Sequence, residues 1–112
     1  MSAITWPDRS ALPPADYEER LALRLAGRVE RAYFFGSYAT GEAKPGSDVD
    51  LILVLPTKVP FLERARLFDD LYEFFPRLDL LVYSPEEFED LRSNPHGFWA
   101  SVVATLRPLP LA

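Results

Sequence analysis

The sequence predicts a single α/β (α+β) domain in which helices pack mainly on one face of a small mixed β-sheet. The chain has 112 residues, the size of one domain, and 48% of them are apolar, which is enough for one core. Segments with helical spacing of apolar residues alternate with β-favouring runs in the order α-β-turn-β-α-β-α-α. One domain is therefore expected over residues 1–112, with residues 1–13 as an extended N-terminal segment.

The first half of the chain predicts one helix and two strands. Tyr17, Leu21 and Leu25 recur at helical spacing, and charged residues fill the other side, which indicates an amphipathic helix. Residues 29–35 form a β-favouring run that stops at a glycine, which is typical of a strand followed by a tight turn. Residues 48–55 form the next strand, which becomes apolar on both faces and is therefore expected to be central.

The second half predicts three helices and a third strand. Apolar residues at alternating four- and three-residue steps predict a helix over 60–76, which begins and ends at proline. An apolar run predicts a strand over 78–83, and a capping box then opens a short acidic helix over 85–92. A last helix is expected after Pro95, with residues 109–111 as a candidate edge strand.

The charge and residue counts exclude several kinds of site. Lys and Arg number 12 against 17 Asp and Glu, and this net charge of −5 argues against binding nucleic acid through its phosphate backbone. With no cysteine and only His96, thiolate catalysis, Cys-ligated zinc, His-rich metal sites and His-centred triads are excluded, so any metal must bind oxygen. No run approaches the ~20 apolar residues of a membrane span, and the N-terminus lacks signal-peptide regions, so a cytoplasmic protein is expected.

A pair of carboxylates marks the start of the predicted central strand. Asp48 and Asp50 are separated by one residue, and side chains two apart on a strand lie on the same face. They would repel each other unless a cation sits between them, and Mg²⁺ suits such a pair because it also accepts water and phosphate oxygens. The structural alternative, in which Ser47-Asp48 is a turn that caps the loop, stays open from the pair alone.

Two further features accompany this pair. Gly36-Ser37 ends the preceding strand, where glycine lets the backbone approach a ligand and the serine hydroxyl can hold phosphate oxygens. The alternative is a plain strand-to-helix turn with Ser37 as N-cap. Asp79 interrupts the apolar run of the third strand, and as a buried acid it needs a partner, either a shared metal ion or a salt bridge with Arg77.

Together these residues read Gly36-Ser37, ten residues, then Asp48-Val49-Asp50, followed one helix later by Asp79. This pattern resembles the signature of the nucleotidyltransferase superfamily of DNA polymerase β. Over residues 15–83 the chain is most similar to the minimal nucleotidyltransferase (MNT) group of small prokaryotic proteins, which are often paired with a HEPN-domain protein as antitoxin and toxin. The resemblance implies the nucleotidyltransferase fold for this chain.

The resemblance also implies an activity and a role for each motif residue. The activity is Mg²⁺-dependent transfer of a nucleotidyl group, AMP by family resemblance, from a nucleoside triphosphate such as ATP to a hydroxyl on a partner HEPN toxin. By the same resemblance, Gly36 and Ser37 hold the triphosphate. Asp48, Asp50 and Asp79 bind two Mg²⁺ ions, and Asp79 also helps deprotonate the acceptor hydroxyl.

One departure from the family pattern keeps a second function open. Relatives commonly carry Arg just before the glycine that is Gly41 here, whereas this chain has Thr40, with Lys44 as the candidate replacement for that charge. In the second function the fold is a non-enzymatic antitoxin, or protein-binding module, that masks a HEPN ribonuclease. The three carboxylates favour the enzyme, because a masking surface does not need them. The oligomeric state, including a homo-oligomer, stays open.

Overall fold

The computed structural model describes Pro13, residues 15–75 and residues 77–111. The predicted N-terminal segment, apart from Pro13, lies outside the described residues. The helices are α1 (Tyr17–Leu25), α2 (Gly36–Thr40), a 3₁₀ helix (Phe61–Phe68), α3 (Asp69–Phe74), α4 (Pro85–Ser93) and α5 (Phe98–Thr105). The strands are β1 (Arg31–Phe35), β2 (Val49–Val54), β3 (Leu78–Tyr83) and β4 (Arg107–Pro108).

The described strands form one mixed sheet in the order β3-β2-β1-β4. β1 is antiparallel to both β2 and β4, whereas β2 and β3 are parallel and joined by the crossover through the 3₁₀ helix and α3. β2 lies between β1 and β3, which confirms the central strand that its apolar sequence predicted. The predicted α/β class with a small mixed sheet is confirmed.

Helices cover both faces of this sheet. Successive side chains of a strand point to opposite faces, so Leu51 and Leu53 join a larger core with α1, the 3₁₀ helix and α3. Ile52 and Val54 join a smaller core with α4 and α5 on the other face. The sequence predicted helices mainly on one face; the structure adds the smaller core because β2 is apolar on both sides and needs cover on each.

Two elements differ from their predicted form. The turn predicted after β1 contains the single helical turn α2, which ends at Gly41 with a φ of 80°, a left-handed conformation that favours glycine. The edge strand expected over 109–111 lies instead at β4, where Arg107 pairs with Phe34. Pairing with β1 continues one step beyond β4, where the Leu109 N–H donates to the Ala32 carbonyl oxygen at 2.9 Å.

The connections around β3 follow the sequence closely. The helix predicted over 60–76 begins as the 3₁₀ helix and continues as α3 to Phe74. The capping box before α4 is confirmed, because Glu87 donates its N–H to Ser84 Oγ at 3.2 Å and Ser84 donates its N–H to Glu87 Oε1 at 2.7 Å. No helix in the described part of the chain is long and apolar enough to cross a membrane.

Candidate active site

The ends of three neighbouring strands lie together at one end of the sheet. The C-terminal end of β1 lies beside the N-terminal end of β2, and Phe35 is the register partner of Asp50. On the other side of β2, Asp50 is the register partner of Asp79 on the parallel strand β3. The consecutive strands β2 and β3 thus bring two of the predicted acids side by side, with the turn after β1 as their neighbour.

The acids lie on the face covered by α4 and α5. Val49 and Leu78, which are next to Asp50 and Asp79 in sequence, belong to the larger core on the opposite face. By strand alternation, the two acids therefore share the other face. Asp48 immediately precedes β2 and is exposed.

The three carboxylates interact electrostatically. Burial raises the pKa of Asp50 to about 6, and the nearby charges of Asp79 and Asp48 contribute to the rise. Each of the two neighbours therefore opposes ionisation of Asp50. The structure brings together the three acids that the sequence singled out, and their mutual repulsion is the kind that a bound cation relieves.

Gly36 makes the closest approach to these acids. Its φ is 72°, and a Cβ at this position would lie 2.9 Å from Asp50 Oδ2, closer than side-chain carbons come in proteins. A larger residue would push the carboxylate away, so glycine is needed both for the backbone conformation and for the contact. The Gly36 N–H donates to Thr105 Oγ1 of α5 at 3.0 Å.

The remainder of the turn is built on short local bonds. Ser37 is exposed in α2, and its carbonyl accepts the N–H of Glu42 at 2.9 Å. The Thr40 hydroxyl lies 3.2 Å from the Ser37 carbonyl oxygen and 2.8 Å from Glu42 Oε1. Thr40, the residue before Gly41, therefore hydrogen-bonds both within the turn and to the Glu42 carboxylate. Lys44 is exposed on the loop that follows.

One expectation about Asp79 is wrong. The sequence predicted a buried acid, but Asp79 is exposed, because β3 is an edge strand and the acid is its second residue. Arg77, the alternative partner, precedes β3 in a turn and has a φ of 63°. Its Nη1 lies 3.8 Å from the point that a Cβ would occupy if Gly46 carried a side chain.

The sequence around this site is similar to that of known proteins. The sequence profile described as nucleotidyltransferase domain matches residues 18–77, more than half of the chain. The chain belongs to the nucleotidyltransferase domain family. The matched segment contains Gly36, Ser37, Asp48 and Asp50, while Asp79 lies just beyond it.

Two solved structures share features with this nucleotidyltransferase domain. The crystal structure of a candidate nucleotidyltransferase from Sulfolobus solfataricus at 1.40 Å resolution is 20% identical, has a TM-score of 0.50 and is matched over 68% of each chain, which shows a common fold. The crystal structure of a toxin-antitoxin with AMP-PNP is also 20% identical, with a TM-score of 0.47 over 88% of this chain and 75% of that one. No curated protein matches the sequence.

The carboxylates of the candidate site form an open set of oxygen donors rather than a closed metal cage. In the described part of the chain, no three Asp, Glu, His or Cys side chains converge closely enough to enclose a metal ion. Mg²⁺ rarely needs such a cage, because it is bound by one or two carboxylates and completes its shell with water and substrate phosphates. Asp48 and Asp50, with Asp79 beside Asp50, provide that kind of partial shell.

The sequence did not predict the residues from the end of α5 and from β4 that hydrogen-bond to the backbone of α2. Thr105 bonds to Gly36 across 69 positions, and Arg107 Nε donates to the Ala39 carbonyl oxygen at 3.3 Å across 68 positions. Neither residue has a local motif that marks it. Tyr38 of α2 is half-buried and donates its hydroxyl to Glu18 Oε2 at 2.7 Å.

Proposed function

We propose that this nucleotidyltransferase domain is an MNT-type antitoxin that transfers AMP from ATP, with Mg²⁺, to a hydroxyl on a HEPN-domain toxin. The observation that carries the proposal is the position of Asp50, which lies against Gly36 on one side and beside Asp79 on the other. A carboxylate whose pKa is raised by burial and by two further acids is costly for a fold that has no use for it. A nucleotide site explains all of these features together.

Each residue of the candidate site has its own role in the proposed transfer. Asp48 and Asp50 would hold Mg²⁺, which supplies positive charge at the triphosphate when it is bound. Gly36 keeps the backbone close to Asp50, and the exposed Ser37 hydroxyl donates to a phosphate oxygen. Asp79 accepts the proton of the acceptor hydroxyl, whose oxygen then bonds to the α-phosphorus while pyrophosphate leaves with the electron pair of the broken bond.

The exposure of the acids supports a macromolecular acceptor. Asp48 and Asp79 are both exposed, and Asp79 lies on the edge strand β3. A hydroxyl on the surface of a folded protein can reach a base at such an edge without entering a cleft. A deep pocket, by contrast, would restrict the acceptor to a small molecule.

The first test of this proposal is the dependence of ATP binding on Mg²⁺. We expect ATP to bind measurably more tightly in Mg²⁺ than in EDTA, because the carboxylates at 48, 50 and 79 repel the triphosphate until a cation neutralises them. Titration calorimetry with ATP in each buffer measures this difference, with AMP as the control ligand that lacks the triphosphate. Equal ATP affinity in Mg²⁺ and in EDTA would rule out the proposed metal site.

The second test concerns the acceptor. The chain is incubated with ATP, Mg²⁺ and the protein encoded by the adjacent reading frame, and the intact mass of both proteins is measured. We expect the neighbour to gain one or more AMP units, and an adduct on this chain alone would contradict the proposed acceptor. A neighbour that is bound and inhibited without any gain in mass would favour the non-enzymatic antitoxin, which Thr40, at the position where relatives commonly carry Arg, also favours.

A further inference from the structure

Both ends of α2 are held by one short segment from the other end of the chain. At the first residue of α2, the Gly36 N–H donates to Thr105 Oγ1 at 3.0 Å. Near its last residue, the Ala39 carbonyl accepts from Arg107 Nε at 3.3 Å. Thr105 ends α5 and Arg107 begins β4, so these two contacts are only two residues apart in sequence.

The contact from Thr105 has a defined direction. The Thr105 hydroxyl donates to the Val102 carbonyl of its own helix at 2.9 Å, which commits its hydrogen and leaves a lone pair for the Gly36 N–H. Because α5 packs on the face that carries Asp50, this bond fixes the glycine that touches the Asp50 carboxylate.

The contact from Arg107 comes from the opposite face. Its guanidinium lies 4.9 Å from the centre of the Phe34 ring, which belongs to the larger core. Both Nη atoms donate to Glu18, at 3.1 and 2.9 Å, and Glu18 also accepts the Tyr38 hydroxyl. Hydrogen bonds from Arg107 hold the pKa of Glu18 below its usual range, and those to Glu18 raise the pKa of Arg107, so both groups stay charged.

The helix α2 depends on such contacts because it cannot position itself. It has five residues, too few for a stable isolated helix, and none of its side chains is fully buried. Tyr38 and Ala39 pack against the larger core, and hydrogen bonds from neighbouring elements add the contacts that fix its place beside Asp50. Thr105 and Arg107 provide two of them, and both lie outside the segment 18–77 that matches the family profile.

We infer that Thr105 and Arg107 are positioning residues of the nucleotide site, which hold Gly36 and Ser37 at the distance from Asp50 that the triphosphate requires. This inference rests on the proposed function. Neither residue touches the reacting atoms; each acts by restricting the backbone of α2. The C-terminal segment is thus a functional part of the site rather than only an edge of the sheet.

The test compares two pairs of matched variants. Thr105→Val and Arg107→Met remove the two contacts. Thr57→Val removes an equivalent bond, from the Val59 N–H to a threonine hydroxyl at 3.1 Å, beyond the other end of β2. Arg28→Met removes an arginine that, like Arg107, binds one carboxylate with two nitrogens, that of Asp70. Arg28 also donates to two backbone carbonyls, those of Leu67 and Arg24.

Calorimetry with ATP in Mg²⁺ is the main measurement. We expect Thr105→Val and Arg107→Met to weaken binding on the order of tenfold, because a small displacement of a phosphate-holding turn is enough to cost that much. The two controls should bind as the wild type does, and Thr105→Ser, which keeps the hydroxyl, should restore affinity. Urea unfolding of each variant identifies any loss that comes from a failure to fold.

Amide hydrogen exchange provides a readout that does not depend on nucleotide. The Gly36 N–H should exchange faster in Thr105→Val than in Thr57→Val, and equal exchange rates would contradict the inference. If the wild type binds ATP in Mg²⁺ and both variants bind it equally well, the inference alone is wrong. If the wild type binds no ATP, the proposed function fails, and the inference fails with it.

Discussion

Replacing Asp48 and Asp50 together by Asn should abolish nucleotidyl transfer and leave the metal-free protein as stable as the wild type or more stable. The change removes two charges and almost preserves shape, so the site loses its cation-binding oxygens but not its packing. We expect the transfer rate to fall by at least about a thousandfold, as for loss of a principal electrostatic element of an active site. The mass-spectrometric transfer assay measures this loss.

The pKa of Asp50 determines whether the double variant is more or less stable than the wild type. That pKa is raised from 3.8 to about 6 in the folded protein, so the folded state binds the proton more tightly than the unfolded state. Ionising Asp50 therefore costs stability, and the cost develops as pH rises through the interval from 3.8 to about 6. Allowing for solvent screening of this half-buried group, the double variant should gain about 1 kcal/mol above that interval and little below it.

Urea unfolding in EDTA at pH values on either side of this interval measures the difference. The matched control is Glu89→Gln with Asp90→Asn, which removes two exposed charges from α4 and should preserve transfer. A double variant at 48 and 50 that unfolds at a clearly lower urea concentration yet retains transfer would show that these acids are caps or salt-bridge partners. In that case their role is structural, as the alternative interpretation of the sequence holds.

Features set by neighbouring residues could be predicted from the sequence. The central position of β2 follows from its apolar run, and the start of α4 follows from the capping box of Ser84 and Glu87. The sequence predicted that Gly36 lets the backbone approach a ligand, and the structure shows this backbone close to the Asp50 carboxylate, where a Cβ would lie 2.9 Å from Oδ2. In each case the physical cause lies within a few residues or in one strand-turn-strand unit.

Features set by the order of strands could not be predicted in this way. Asp79 sits in an apolar run that is typical of a buried strand, but its exposure depends on β3 being at the edge of the sheet. The same is true of Thr105 and Arg107, whose partners in α2 are more than 60 positions away. A single sequence contains no local signal for such pairings, because they depend on how the chain closes around the sheet.

Replacing Arg64 by Met should destabilise the fold strongly, although Arg64 lies outside the candidate site. Arg64 is the one charged side chain that is buried in the described part of the chain. Its Nε donates to the Val59 carbonyl at 2.7 Å and its Nη1 to the carbonyl of Val82 on the edge strand β3 at 3.2 Å. Both Nη atoms also donate to Glu87.

The expected cost is about 2–4 kcal/mol, because the change leaves two carbonyl groups without their donor and separates an ion pair that is partly buried. Hydrogen bonds from Arg64 hold the pKa of Glu87 below its usual range. The pair therefore contributes to stability at neutral pH, and the contribution is lost as pH falls through the folded-state pKa of Glu87. Urea unfolding at neutral and acidic pH measures both effects.

Arg66→Met is the matched control, since Arg66 lies on the same 3₁₀ helix and is exposed. It should change stability by less than about 0.5 kcal/mol. Because Arg64 binds at the C-terminal end of β3, far along the strand from Asp79, the folded fraction of the Arg64 variant should still bind ATP in Mg²⁺ as the wild type does. Equal stability of the two variants would show that the buried guanidinium is replaced by methionine packing without net loss.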